Sequence, residues 1–178
     1  MHWTPLYRAV ESGDRAFLLR LYGSTRAAEL ANTGWDAAAC EAFVRMQFDA
    51  QSTHYRQHWP ASAHSVIEVE ADGTRQCAGR LWLDWRADTL HLLDIALLPA
   101  WCGRGIGSAC LTGLQRDAAR RGLPVSIQVE QNNPARQLYD RLGFVPVGPL
   151  HGIHQLMIWQ PETGASAPST KESCREQA

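Results

Sequence analysis

Apolar residues recur along this chain in two rhythms, helical at first and mostly strand-like from residue 64 onward. Trp3 to Ala9 can form a first strand. Pro5 confines that strand to a sheet edge or to its own start, because proline has no N–H for a ladder. Ser12-Gly13-Asp14 supplies a helix cap, and Phe17, Leu18, Leu21 and Tyr22 then share one helical face. That helix is expected to end near Gly23-Ser24-Thr25-Arg26. A connector, Ala27 to Gly34, leads into a second helix from about Trp35 to about His58. Its repeating positions include Ala39, Phe43, Met46, Ala50 and Tyr55, and Pro60 stops it.

Period-two segments follow. Ser65 to Glu70 is a strand, Ala71-Asp72-Gly73-Thr74 a turn of the Asp-Gly kind, and Cys77 to Trp85 the next strand. Ala87-Asp88 turns the chain into the apolar run Leu90 to Leu98, which Pro99 stops. Ser108 to Arg121 is helical, with Ala109, Leu111, Leu114 and Ala118 on one side. Gly122-Leu123-Pro124 ends it, and Val125 to Glu130 is an alternating strand. Asn132-Asn133-Pro134 opens a short helix, Ala135 to Arg141, with Gly143 suited to its C-terminal end. Val145 to Leu150 and Gln155 to Trp159 read as a closing hairpin across His151-Gly152. No internal repeats are present, and one domain is expected over 1–160. Residues 161–178 have little to bury and are expected to form a flexible tail.

Between the apolar run and its helix lies Cys102-Gly103-Arg104-Gly105-Ile106-Gly107-Ser108. Strand, glycine-rich turn and helix together suit an anion. Glycine lets backbone approach closely, and a helix N-terminus offers unpaired N–H groups and a partial positive charge. The mononucleotide P-loop needs Gly-Lys-Ser/Thr at the helix start, and there is no lysine here. The dinucleotide fingerprint needs a third glycine where Ser108 stands. The remaining pattern is the acetyl-CoA pyrophosphate loop, Q/R-x-x-G-x-G/A, which Cys102 to Gly107 matches at all but its first residue.

A second pattern lies one helix and one strand further on. Asn133 to Phe144 reads N-P-A-R-Q-L-Y-D-R-L-G-F, which is similar to N-x-A-x-x-L-Y-x-x-x-G-F. With both motifs in this order, the chain resembles the GNAT superfamily of acyl-CoA N-acyltransferases over about Val66 to Trp159. The resemblance implies an α+β fold with a mixed, mostly antiparallel sheet of about seven strands and about four flanking helices. Strands four and five should run parallel and splay apart around acetyl-CoA. It further implies that the backbone of Ile95, Ala96 and Leu97 pairs with the pantetheine amides. The N–H groups of Cys102, Gly103, Arg104, Gly105, Ile106, Gly107 and Ser108 should hold the pyrophosphate, and Asn133 should contact the pantetheine arm. Tyr139 should act as general acid toward the leaving thiolate, although it also reads as a tyrosine packed under the sheet. The implied activity is acetyl transfer from acetyl-CoA to a primary amine of a small molecule, amino acid or peptide, with no metal.

Three residues compete as base. Glu130 shares a strand face with Gln128, and it can equally be a solvated strand end. His91 and Asp94 lie on the fourth strand. A buried aspartate requires a partner, either backbone or an arginine. The acceptor site is expected beneath the two N-terminal helices, where Ser24, Thr25, Arg26, Trp35, Gln47, Gln51 and Tyr55 are candidates beside Gln128. Arg116, Arg120, Arg121, Arg136 and Arg141 form helix faces, one of them available to the CoA 3′-phosphate. Cys102 removes a polar side chain from the loop but leaves its backbone donors in place.

Composition narrows the function further. A net charge of -1 lacks the footprint of a general nucleic-acid binder, which weighs against a toxin-like enzyme acting on aminoacyl-tRNA. No carboxylate cluster points to a polycationic acceptor. The remaining alternative to catalysis is a silent acyl-CoA-binding regulator. The N-terminus has no signal-peptide pattern, and no apolar run is long enough for a membrane span. Five cysteines with no C-x-x-C spacing fit a reduced, cytoplasmic protein without a zinc site, either monomer or homodimer.

Overall fold

The computed structural model describes residues 3–162; the expected tail, apart from its first two positions, lies outside the described residues. Seven strands form one sheet: β1 Leu6–Ala9, β2 Ala63–Ala71, β3 Thr74–Trp85, β4 Leu90–Leu97, β5 Val125–Glu130, β6 Val145–Pro146 and β7 His154–Trp159. Their spatial order is β1-β2-β3-β4-β5-β7-β6. Every neighbouring pair is antiparallel except β4 and β5, which are parallel. The helices are α1 Arg15–Leu30, α2 Ala37–His58, α3 Ile106–Arg120 and α4 Arg136–Arg141.

The pleat sorts side chains onto two faces. Leu81 and Leu83 of β3, Leu90 and Leu92 of β4, and Val125, Ile127 and Val129 of β5 pack on the apolar side of α3, at Ile106, Cys110, Leu111 and Leu114. On the other face Leu18, Tyr22, Val44 and Phe48 join α1 to α2. Burying each of these larger side chains stabilises the fold by about 2 kcal/mol.

Several elements differ from the sequence expectation: β1 begins at Leu6 rather than Trp3, and α2 buries Val44, Phe48 and Ser52 while the expected Ala39, Met46 and Ala50 are exposed. Two further differences concern where elements end. First, α1 runs seven residues beyond Gly23 rather than ending there. A Cβ on Gly23 would lie 3.3 Å from Val44 Cγ1, so this glycine admits α2 closely rather than breaking α1. The Ser24 and Thr25 hydroxyls donate back to the carbonyls of Leu21 and Tyr22, both at 2.7 Å, which helical residues tolerate. Second, β6 stops at Pro146 instead of reaching Leu150. Proline cannot donate, and beyond it the Gln155 side-chain amide donates to the carbonyls of Val147 and Gly148 at 3.1 and 3.3 Å.

The sheet is irregular where the site lies. Trp82 faces Asp94, but the next β3 residue, Leu83, faces Leu92, so Leu93 is an extra residue on β4. Such a bulge bends and twists its strand. Parallel pairing of β4 with β5 covers Leu90, His91 and Leu92 and ends there. From the bulge onward the two strands part, leaving one edge of β4 bare.

Candidate active site

The parting of β4 and β5 opens a cavity of about 540 Å³. Ile95, Ala96 and Leu97 of β4 form one wall. Cys102, Gly103 and Gly105 of the loop, with Gly107 and Ser108 at the start of α3, form its end. Tyr139 and Leu138 of α4 form the opposite wall, with Arg141 at the rim.

The loop is built to leave donors free. Gly105 caps α3 at φ 86°, a left-handed conformation that side chains disfavour, and a Cβ there would meet nothing within 4 Å. Ile106, fully buried, anchors the first turn. Among the described residues, the N–H groups of Gly103 to Ser108 donate to no backbone carbonyl. Six uncommitted donors at the positive end of a 15-residue helix attract an anion. The Cys102 thiol points away from this array, toward the carbonyls of Leu98 and Leu97 at 3.5 and 3.7 Å.

Tyr139 is 4 % exposed and makes no side-chain hydrogen bond to another described residue. Burial, and then the negative field of Asp94, push its phenol above the ordinary tyrosine value. The hydroxyl therefore stays protonated and is available as a donor.

Asp94 has the arginine partner its burial requires. Its carboxylate accepts from Arg80 Nε, and Arg80 Nη2 donates to Gln51 Oε1 at 2.7 Å. Arg80 is 2 % exposed, its Nη1 lacks a partner among the described residues, and its guanidinium lies 5.7 Å from the Tyr22 ring. This network lies between β4 and the two N-terminal helices. Tyr55, on the same helix as Gln51, donates to the Leu93 carbonyl at 3.2 Å.

The other sequence candidates are placed as follows. His91 sits in the paired stretch of β4, its Nδ1 2.6 Å from Ser126 Oγ, outside the cavity lining. Burial, then Arg86, hold its imidazole below the ordinary value, toward the neutral form. Glu130 ends β5 with His154 Nε2 at 3.8 Å, and Arg26 of α1 lies within its field. Gln128 is exposed one pleat earlier on that face. The Arg26 guanidinium lies 5.5 Å from the Tyr22 ring and 3.4 Å from Glu29. Thr25 is back-bonded within α1, Gln47 is half-buried on α2, and Trp35 is 49 % exposed with its ring against Phe43. Asn133 lies outside the cavity lining; its Oδ1 accepts from Ala135 N at 2.9 Å in the turn that leads into α4. Arg104 also stands apart from the cavity, its guanidinium 5.1 Å from the Trp101 ring.

Sequence reading missed the Leu93 bulge and the buried Arg80. The arginine left a signal, a single cation inside the apolar stretch Ala78 to Leu83. Leu138 was hidden in a motif where only the tyrosine and asparagine were assigned roles. Among the described residues no helix is long and apolar enough to cross a membrane, and no group of three or more His, Cys, Asp or Glu could hold a metal ion.

A sheet split between its one parallel pair, with a free-donor loop at the head of the split, is the architecture of an acyl-CoA-dependent transferase. The chain belongs to the GNAT family of acetyltransferases, whose family model matches residues 31–144. No curated protein matches it by sequence. Solved structures share the fold at low identity. The PaiA N-acetyltransferase of Thermoplasma acidophilum, in complex with coenzyme A, superposes with a TM-score of 0.63 at 18 % identity, covering 88 % of this chain and 99 % of that one. An acetyltransferase from Thermus thermophilus gives 0.61 at 20 % identity, covering 88 % and 97 %. Ard1 from Thermoplasma volcanium gives 0.55 at 15 % identity, covering 89 % and 99 %.

Proposed function

We propose that the protein transfers the acetyl group of acetyl-CoA to a primary amine, with Tyr139 as general acid and Glu130 as the base. The observation that carries this reading is the convergence, around one cavity, of the bare β4 edge, six uncommitted loop donors and an uncommitted buried phenol. Acetyl-CoA supplies a thioester whose carbonyl accepts the amine and whose sulfur leaves as thiolate.

The N–H groups of Gly103 to Ser108 bind the pyrophosphate, where helix dipole and hydrogen bonding act together. Ile95 to Leu97 pair with the pantetheine amides as an added strand would, and the β4 backbone donates to the carbonyl oxygen as charge develops on it. Tyr139 gives its proton to the leaving sulfur and is reprotonated, through solvent, by the proton that the acetylated nitrogen sheds as the amide forms. Its raised pKa opposes this transfer in water, but a thiolate formed in the same buried cleft is also less stable than in water, which narrows the gap. Glu130 takes the proton of the acceptor ammonium. It reaches solvent, faces α1 and has His154 beside it. Asp94, tied to Arg80, positions the β4 wall and holds Tyr139 protonated.

A thiol-release assay over amino acids, peptides, polyamines and small amines, preceded by calorimetry with acetyl-CoA, tests this. Turnover with one amine class supports it. No acetyl-CoA binding at about 1 mM, enough to detect ligands of only about -4 kcal/mol, would refute it.

A further inference from the structure

On the sheet face that carries α1 and α2, away from α3, lie two cavities of about 390 and 220 Å³. Val10, Arg56 and His64 line both, so they are two lobes around one imidazole. The larger lobe is walled by Leu18 of α1 and by Phe48 and Ser52 of α2. The indoles of Trp59 and Trp82 wall the smaller one. Neither lobe shares a lining residue with the cavity between β4 and β5.

The polar groups here are held in place yet uncommitted. His64 stacks on Trp82 with 3.9 Å between ring centres and 4° between planes. Trp82 is fixed in turn by Tyr55, edge-on at 4.8 Å, and by Ser62 Oγ, which accepts from its Nε1 at 2.8 Å. His64 Nε2 is buried without a partner, so Nδ1 is the nitrogen left to serve the cavity. Burial, then the charges of Arg80 and Arg56, keep the ring neutral, with one N–H to give. Ser52 is 8 % exposed, and its hydroxyl has no hydrogen-bond partner among the described residues. Arg56 has no ion pair or side-chain hydrogen bond among those residues, whereas Arg15 is engaged by Asp49 at 2.9 Å. Glu11, the other carboxylate of the larger lobe, is exposed, where water and salt screen its charge.

One unpaired guanidinium, one imidazole N–H and one free hydroxyl, set among apolar and aromatic walls, suit a singly charged ligand with an apolar body. The planar guanidinium fork matches a carboxylate, and apolar walls carrying a few placed polar groups are what hold a small organic molecule. We infer that this two-lobed cavity binds a small monocarboxylate. Its carboxylate meets Arg56, Ser52 and His64, and its apolar part lies against Leu18 and Phe48. The site is separate from the acetyl-CoA cleft and does not rest on that reading.

Calorimetry on the full chain tests this with phenylacetate, its neutral counterpart phenylacetamide, and inorganic phosphate. Phenylacetate should bind about tenfold or more tightly than the amide, the scale of a charge-assisted hydrogen bond. Arg56→Ala should erase that preference at an unchanged melting temperature, since the side chain is exposed and unpaired. Ser52→Ala should weaken phenylacetate by a smaller factor. Acetyl-CoA at saturation should leave phenylacetate affinity as it was. No phenylacetate binding at about 10 mM would overturn the proposal, as would equal affinity for acid and amide. A preference that survives Arg56→Ala, or displacement of phenylacetate by acetyl-CoA, would place the ligand elsewhere and overturn it as well. Phosphate binding as tightly as phenylacetate would reveal a bare anion patch with no use for the apolar walls, and would likewise sink the inference.

Discussion

The Tyr55 hydroxyl on α2 donates to the carbonyl of Leu93, the one residue by which β4 exceeds its partner β3, at 3.2 Å. A bulge leaves backbone groups outside the ladder, and a half-buried carbonyl without a partner is costly. Burial raises the Tyr55 pKa to about 12, which keeps the donor protonated. Helix α2 thus secures the irregularity from which β4 and β5 part.

Tyr55→Phe should therefore have two effects. We expect a loss of about 1 kcal/mol in stability from the lost bond. CoA binding should weaken as well, because the bare edge of β4 begins at the bulge. Denaturant unfolding and calorimetry measure the two effects. An unchanged CoA affinity would show that the bulge keeps its shape without this bond.

Tyr139→Phe keeps the ring that packs edge-on to Phe144 at 5.7 Å and removes only the hydroxyl. Turnover should fall by about 10²-fold or more, with CoA affinity and melting temperature nearly unchanged. A free thiol has a pKa near 8.5, so the defect should shrink as pH rises and the thiolate leaves unaided. Wild-type turnover at pH 7 would remove Tyr139 from the reaction.

At Gly105, two substitutions separate strain from charge. Gly105→Ala meets no neighbour but must hold φ 86°, costing about 1 kcal/mol of stability. Gly105→Glu adds an anion at the donor array and should abolish CoA binding while the protein stays folded. Retained affinity in the glutamate variant contradicts the loop's assignment.

Asp94→Asn leaves Arg80 buried without its counter-charge. Breaking a buried pair by removing one partner costs about 3 kcal/mol or more, whereas replacing both with apolar groups is often neutral. Asp94→Asn should thus lower the melting temperature more than the double change Arg80→Met with Asp94→Leu. A double variant less stable than the single one would mean that the pair itself stabilises the fold.

The pH profile of stability has two windows. His64 is stacked on Trp82 with ring centres 3.9 Å apart, and burial followed by Arg80 lowers its pKa from 6.5 to about 4. The unfolded chain therefore binds a proton between pH 6.5 and 4 that the folded chain refuses. This contribution is complete above 6.5 and is lost as pH falls toward 4. Asp14, hydrogen-bonded to Arg8, is lowered from 3.8 to about 2, so its contribution is lost only in that lower range. His64→Phe should make the upper window shallower, the remainder belonging to His91, whose imidazole burial also holds below its ordinary value, and leave the lower window. Melting temperatures from pH 3 to 8 check this, and an unaltered upper slope in the variant would assign it to another group.

The fold was legible in sequence wherever one rhythm persisted. The two glycine-bearing motifs flank a clear helix and a clear strand, and Gly103, Gly105, Gly107, Leu138 and Tyr139 from them line the cavity while Arg104 and Asn133 do not. The bulge was not legible, because Leu90 to Leu98 is apolar at nearly every position and an inserted residue leaves no break in such a run. Gly23 misled for a related reason: a glycine that admits a neighbouring helix has the same letter as one that ends its own. Side-chain commitments were also invisible. Asn133 stands in its motif, yet its amide oxygen is spent on the Ala135 N–H in the turn before α4. His91 and Ser126 lie 35 residues apart and meet only because parallel strands place them opposite each other.

Three residue pairs, Leu90 with Val125, His91 with Ser126 and Leu92 with Ile127, are the whole strand pairing at the seam between the β1–β4 leaf and the β5–β7–β6 leaf, which otherwise meet in their common packing on α3. A molecule lying in the gap touches both leaves and acts as a removable rung between them. Occupancy should then be read most strongly in the seam rather than in either leaf. Amides of β4 beyond Leu93 and of α4 should slow their exchange with solvent when CoA is present, while those between β2 and β3 stay as they were. The same divergence that makes room for a cofactor leaves the two leaves joined by that short seam and by their common packing on α3.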